Sequence, residues 1–176
     1  KTGTSTGTES VTGGLGGDII TLSTAGKVET VVIGQKDSQV GGQDQITGFT
    51  LVATDGDVLD LPSTNLGTIA GDTQVGDITG VTISSGVITA WAGIDNTIDE
   101  DTLDDAINFL VANIGGTDTV AFEYQSDEDV DGTIQADEKA TYVFQAGSTD
   151  VLVELVGVTG VTAISGTAAA NTIAIS

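Results

Sequence analysis

Apolar residues recur at two periods along this chain. Leu103, Ile107, Leu110, Val111 and Ile114 fall at helical spacing. Asp99, Glu100 and Asp101 crowd the start of that stretch, where the helix dipole favours negative charge. Gly115 and Gly116 can stop it. The spacing predicts a helix over about 100–114 with one apolar face on a sheet and with Asp104 and Asp105 on or near its wet side. Elsewhere the pattern is short β-branched and aromatic runs bounded by Gly, Asp and Asn, which predicts strands and turns. Segments 75–91 and 151–175 are of this kind, as are Thr119–Tyr124 and Thr141–Phe144. The phrase Thr-Gly-Val-Thr occurs at 79–82 and 159–162 and suggests two equivalent strand–turn units. The expected fold is mainly β: a β-sandwich or short β-roll with one packing helix and a hairpin carrying a cation loop. Residues 1–12 read as a flexible arm or exchange strand, and 13–176 as a single β-rich domain.

Residues 127–138 hold the most specific chemical pattern. Asp127, Asp129 and Asp131 fall at positions 1, 3 and 5 of a calcium loop, and Gly132 falls at 6, where the chain must turn sharply. Thr133 at 7 offers its backbone carbonyl, Ile134 at 8 can anchor the loop to a core, and Glu138 at 12 can close the shell with two oxygens. Calcium takes about six to eight oxygens, and this spacing supplies them. The flanks read as strands rather than helices, so the expectation is a β-hairpin whose loop binds calcium. A solvated acidic turn is the plainer alternative. It does not require Gly132, Ile134 and Glu138 together, and its crowded carboxylates would repel one another without a cation.

Weaker cation candidates lie upstream. Gly13-Gly14-Leu15-Gly16-Gly17-Asp18-Ile19-Ile20-Thr21 matches one unit of the glycine-rich nonapeptide of calcium-binding β-rolls, with Asp18 as the ligand. A glycine-rich turn before a strand is the other reading. Asp55, Asp57 and Asp60, with Asp44, form a further candidate set, against an ordinary Asx turn.

Composition narrows the chemistry. The chain has 176 residues, 26 acids, 4 lysines and a net charge of −22. Nothing here neutralises phosphates, so nucleic acid and anionic membranes are unexpected partners, and divalent cations are the natural counterions. There is no cysteine and no histidine, which removes disulfides, the usual zinc ligands and the commonest general base. Lys1, Lys27, Lys36 and Lys139 sit in no catalytic motif, and carboxylate pairs among so many acids carry no information. The expectation is a protein that is not an enzyme. No stretch has the length of a membrane span and no secretory signal is visible. The absence of methionine suggests a processed product or part of something larger. Trp91 is expected in the core or at its rim. Ice binding predicts Thr-x-Thr ranks, and sugar binding predicts more exposed aromatics. The sequence offers neither.

Taken in order, the nonapeptide, Asp44-Gln45-Ile46-Thr47-Gly48-Phe49, and Asp57-Val58-Leu59-Asp60-Leu61 resemble the C-terminal regions of RTX proteins exported by type I secretion. Ala121–Tyr124, Thr141–Phe144 and the strand Val151–Val158 resemble that family's closing hairpin and terminal strand. The resemblance covers residues 13 to about 160. It departs from the family in having one nonapeptide rather than an array. It implies a secreted bacterial protein, extracellular or at the cell surface, with Ca2+ as cofactor. The function expected is a calcium-binding structural protein that folds on calcium and self-assembles into a surface layer, matrix filament or adhesin. Strand addition through residues 1–12 and 165–176 would make a homo-oligomer or polymer. The alternative is a C-terminal secretion and folding module of a larger type I-secreted enzyme, toxin or adhesin.

Overall fold

Short strands separated by Gly- and Asp-rich turns cannot each bury a face alone, and here they share the work between two layers. The computed structural model describes residues 9–23, 28–51, 56–71, 73–126, 133–135, 138–167 and 172–176. Strands β1 (Glu9–Val11), β3 (Glu29–Val32) and β5 (Val58–Asp60) pair in parallel in one sheet. Between them the chain crosses to lay down β2 (Ile19–Thr21) and β4 (Asp44–Thr47), parallel, in the other. This part is a short roll. The rest of the chain completes a sandwich around it. The first sheet has the order β1-β3-β5-β13-β12, with β12 (Ile164–Thr167) and β13 (Thr172–Ile175) antiparallel. The second has the order β2-β4-β11-β10-β9-β8-β7. It is built from β7 (Gly80–Ser84), β8 (Val87–Ala92), β9 (Asp118–Gln125), β10 (Lys139–Gln145) and β11 (Val151–Val156), with β6 (Asn65–Leu66) beside β9.

Alternation along each strand decides what is buried. Val31, Leu59 and Ile173 stand in register across the first sheet, and Ile20, Ile46 and Leu155 across the second. All six are buried in one cluster between the layers. The outer face of the second sheet forms another core. Strand β10 is apolar on both faces for this reason: Val143 points between the sheets, whereas Tyr142 and Phe144 join the outer core. Trp91 is in that core, edge-on to Phe122 at 5.5 Å and to Phe109 at 6.3 Å. Such contacts add about 0.5–1.5 kcal/mol each beyond the area buried.

Helix α1 (Leu103–Asn113) covers this outer core. It starts later than the acidic run suggested. The Asp99 N–H donates to Thr102 Oγ1 (2.9 Å) and the Thr102 N–H to Asp99 Oδ1 (3.1 Å), so these residues form a turn ahead of the first helical residue. Gly116, at φ 67°, follows its end. Ala106, Ile107, Phe109, Leu110 and Asn113 are buried, but Val111 is 45 % exposed and belongs to the wet face. Asn113 ties the helix to the loop before β7. Its Nδ2 donates to Phe109 O and Thr73 O, and its Oδ1 accepts from Thr73 N.

Two other expectations need correction. Thr-Gly-Val-Thr at 79–82 enters β7, whereas at 159–162 it runs outside any strand, so the two copies are not equivalent. The C-terminal residues 172–175 are not a spare strand. They lie inside the first sheet, paired with β5 on one side and β12 on the other.

Among the described residues four acids are buried, Glu29, Asp44, Asp57 and Glu138, and the first three act as staples, accepting backbone N–H groups from earlier in the chain. Asp57 accepts from the Glu29 N–H through Oδ1 and from the Thr50 N–H through Oδ2, each at 2.8 Å. Glu29, 2 % exposed, accepts from the Ser23 N–H at 3.0 Å. Asp57→Ala leaves two N–H groups without their acceptor. It is expected to cost about 3 kcal/mol in urea unfolding. Asp60→Ala, at a half-exposed site, is expected to stay within about 0.5 kcal/mol. Equal effects of the two substitutions would refute the staple.

Candidate metal centre

The hairpin expected to carry the calcium loop is present. Strands β9 and β10 pair antiparallel from Lys139↔Gln125 to Gln145↔Thr119. Asp127, Asp129 and Asp131 lie outside the described residues, as do Gly132 and Asp137. Of the loop's expected ligands, Thr133 and Glu138 are described. Thr133 is exposed. Glu138 is 8 % exposed, with Oε2 accepting from the Gln135 N–H at 2.6 Å. The Ser126 N–H donates to Glu138 O at 2.9 Å and closes the neck of the loop. Ile134 does not anchor in a core. It is 37 % exposed and lines an open cleft of about 290 Å3 with Asp99, Glu100 and Asp101 from the start of the helix. Those three acids were assigned to the helix dipole from sequence. Folding also brings them beside the loop.

The weaker candidates divide. Asp57 spends both carboxylate oxygens on backbone N–H groups inside the sandwich. Asp60 is half-exposed, and its strand neighbour Leu59 points inward, so alternation puts Asp57 and Asp60 on opposite faces of β5. Asp44 belongs to the other sheet. These acids therefore do not converge. Asp55 lies outside the described residues.

Asp18 and Asp44 do come together. They precede the registered pair Ile19↔Gln45 by one residue on adjacent parallel strands. The Asp18 N–H donates to Asp44 Oδ1 at 2.8 Å. The Asp44 N–H donates to Ser38 Oγ at 2.6 Å, and that hydroxyl donates to Leu152 O. Asp44 is fully buried, and its Oδ2 has no hydrogen-bond partner. A buried carboxylate oxygen left unpaired is costly. Burial pushes the Asp44 carboxyl above the usual carboxylate range. The Asp18 N–H works against that shift, and the charges of Asp18 and Asp37 add to it. Asp37 was not singled out from the sequence. Its own Oδ2 accepts from the Gly34 N–H at 2.9 Å. Only tertiary structure brings Asp18 to Asp44 and puts Asp37 near enough for its charge to be felt there, and no spacing rule marks Asp37.

Glycines make the surroundings tight. A Cβ on Gly13 would lie 2.8 Å from Asp18 Oδ2, and one on Gly17 would lie 3.0 Å from Gln43 O. Among the described residues no three His, Cys, Asp or Glu side chains are gathered as a ready metal cage. A hard cation here would draw on Asp44 Oδ2 and the Asp18 carboxylate together with backbone oxygens, a mixture calcium accepts. The unpaired oxygen and the clustered negative charge fit a cation.

The raised folded-state carboxyl at Asp44 fixes a sign. Its unfolded value is about 3.9. Ionised Asp44 therefore destabilises the folded chain at neutral pH, and the penalty is relieved as pH falls through the raised value towards the unfolded one. In chelator, Asp44→Asn is expected to be more stable than the parent at pH 7. The gap should close as pH falls towards about 4. Denaturant unfolding of both proteins across that range tests this, and a gap that widens on acidification contradicts it.

No protein-family model, curated protein or solved structure matches this chain.

Proposed function

We propose that this chain is an extracellular, calcium-binding structural module of a bacterial surface layer, matrix filament or adhesin. Calcium drives its folding and its association with further copies. The observation that carries the reading is the buried Asp44 Oδ2, unpaired next to the Asp18 backbone, with the charges of Asp18 and Asp37 felt there. An uncompensated carboxylate inside a protein of net charge −22 calls for a cation, and a hard divalent ion suits oxygen donors. The loop pattern at 127–138, on a hairpin rooted in the middle of the larger sheet, supplies a second place for calcium. The resemblance to RTX C-terminal regions and the lack of cysteine support secretion by a type I route.

The physical consequence is a switch. Where calcium is scarce, repulsion among carboxylates weakens the folded state. At millimolar calcium outside the cell, binding energy becomes folding energy. The alternative is a C-terminal secretion and folding module of a larger secreted protein, which shares the switch but does not associate.

Calorimetry of the whole chain in chelator and in millimolar calcium tests the shared part. Calcium at a hundredfold excess over Kd adds about 2.7 kcal/mol. For a domain of this size that is roughly 5–10 °C in Tm. Asp44→Asn and Glu138→Gln are each expected to lose part of the shift, and the double variant most of it. An unchanged Tm in the parent protein sinks the calcium reading.

A further inference from the structure

One stretch of the chain is attached more lightly than the rest. Residues 9–23 hold β1 and β2, each three residues long, and these are the terminal strands of the two sheets. Among the described residues each pairs on one side only, β1 with β3 and β2 with β4. Lifting both away breaks no pairing among the strands that remain. Of the apolar side chains here, Ile20 and Leu22 are buried and Val11 is partly buried, while Leu15 and Ile19 are 79 % and 71 % exposed. Gly13, Gly14, Gly16 and Gly17 lie between the two strands, with Gly14 at φ 99° and Gly16 at φ 91°. Short edge strands with few buried apolar contacts mark a unit that opens locally before the body unfolds.

The unpaired carboxylate oxygen lies at the boundary between this unit and the body. Asp18 belongs to the unit and Asp44 to the body. The Asp18 N–H donates to Asp44 Oδ1, and the Gln45 N–H donates back to Asp18 O, both at 2.8 Å. Asp44 Oδ2 is buried without a donor, and the charge of Asp18 acts on it across the boundary. Closure without a cation therefore costs free energy at this contact. Opening makes β4 an edge and returns Asp44 to water, which relieves the penalty. A cation shared by Asp18 and Asp44 reverses the balance, because it satisfies Oδ2 only while the two are together.

We infer that residues 9–23 form a strap that calcium latches to the body of the sandwich at the Asp18–Asp44 contact. The inference rests on the calcium binding proposed above and adds which part of the chain that site controls. Latched, the two sheets end at β1 and β2. Released, they end at β3 and β4, and the strap stays tethered through the chain that leads into β3. The module thus presents different strand edges in the two conditions while its core stays folded.

The test is hydrogen exchange read by mass spectrometry on the whole chain, at neutral pH in chelator and in calcium, with melting followed in parallel. In chelator the amides of residues 18–23, and of Gln45 whose acceptor is in the strap, are expected to exchange well before those of β9–β11. Calcium at a hundredfold excess over Kd is expected to slow them about a hundredfold. Asp44→Asn is expected to close the strap in chelator and erase its calcium response, whereas Glu138→Gln leaves that response in place. Thr21→Cys with Thr47→Cys supplies a strap held without calcium. The two hydroxyl oxygens are 3.2 Å apart on paired residues, and the parent has no cysteine. The oxidised form is expected to protect residues 18–23 in chelator, and the reduced form to follow the parent. A strap that exchanges no faster than β9–β11 in chelator, with Tm raised by calcium, overturns the latch and leaves the calcium reading standing. Strap exchange that calcium does not slow while Tm rises, or a response that Glu138→Gln abolishes as fully as Asp44→Asn, overturns the assignment to Asp18 and Asp44. No calcium response in either melting or exchange overturns both readings.

Discussion

The fold depends on carboxylates placed inside it. A chain this acidic could keep every acid in water, yet Glu29, Asp44 and Asp57 are buried at the strand beginnings of the roll. Each reaches back along the sequence to a backbone N–H. Asp57 holds Glu29, Asp44 holds Asp18, and Glu29 holds Ser23. A carboxylate that accepts backbone N–H groups can stay charged in the interior, because those bonds replace water. Parallel neighbours joined by short strands have few ladder bonds of their own. The acids supply the missing fasteners between successive passes of the chain. At Asp44 the replacement is half complete, since Oδ1 has its donor and Oδ2 has none.

Much of the architecture was legible because burial follows strand alternation. Ile20, Ile46, Val31 and Leu59 point inward as their patterns require, and the hairpin of β9 and β10 falls where β-branched and aromatic residues cluster. The helix was legible from its spacing, but its face was misjudged by one position. Phe109 and Ala106 pack inward where Val111 had been expected, because the stripe follows Phe109 towards Trp91 and Phe122. The acidic run at its start belongs to a turn closed by Asp99 and Thr102, since a short polar side chain competes with the helix for backbone N–H groups.

The site was less legible than the fold. Asp18 and Asp44 carried a pattern, but their pairing arises from a parallel register between strands far apart in sequence. Asp37 carried no pattern. Its charge reaches Asp44 because the neighbouring Ser38 is tied there, donating to Leu152 O and accepting from Asp44 N. Asp57 and Asp60, close in sequence, were separated by the pleat. In a chain with 26 acids, proximity along the sequence is a poor guide. The informative quantity is which oxygen has been left without a donor.

The staples also act as a ruler. Asp44 grips a residue 26 positions earlier, and Asp57 one 28 positions earlier. The passes of the chain are thus unequal in length while the grips stay in register. Length can therefore vary in the connections between strands, and whole passes can be gained or lost. A single residue added within β4 or β5 is a different matter. It would swing an acid to the wet face and an apolar neighbour into its place, losing fastener and core contact in one step. Lineages of such chains should differ by loops and by whole turns of the roll, and hardly at all inside the strands.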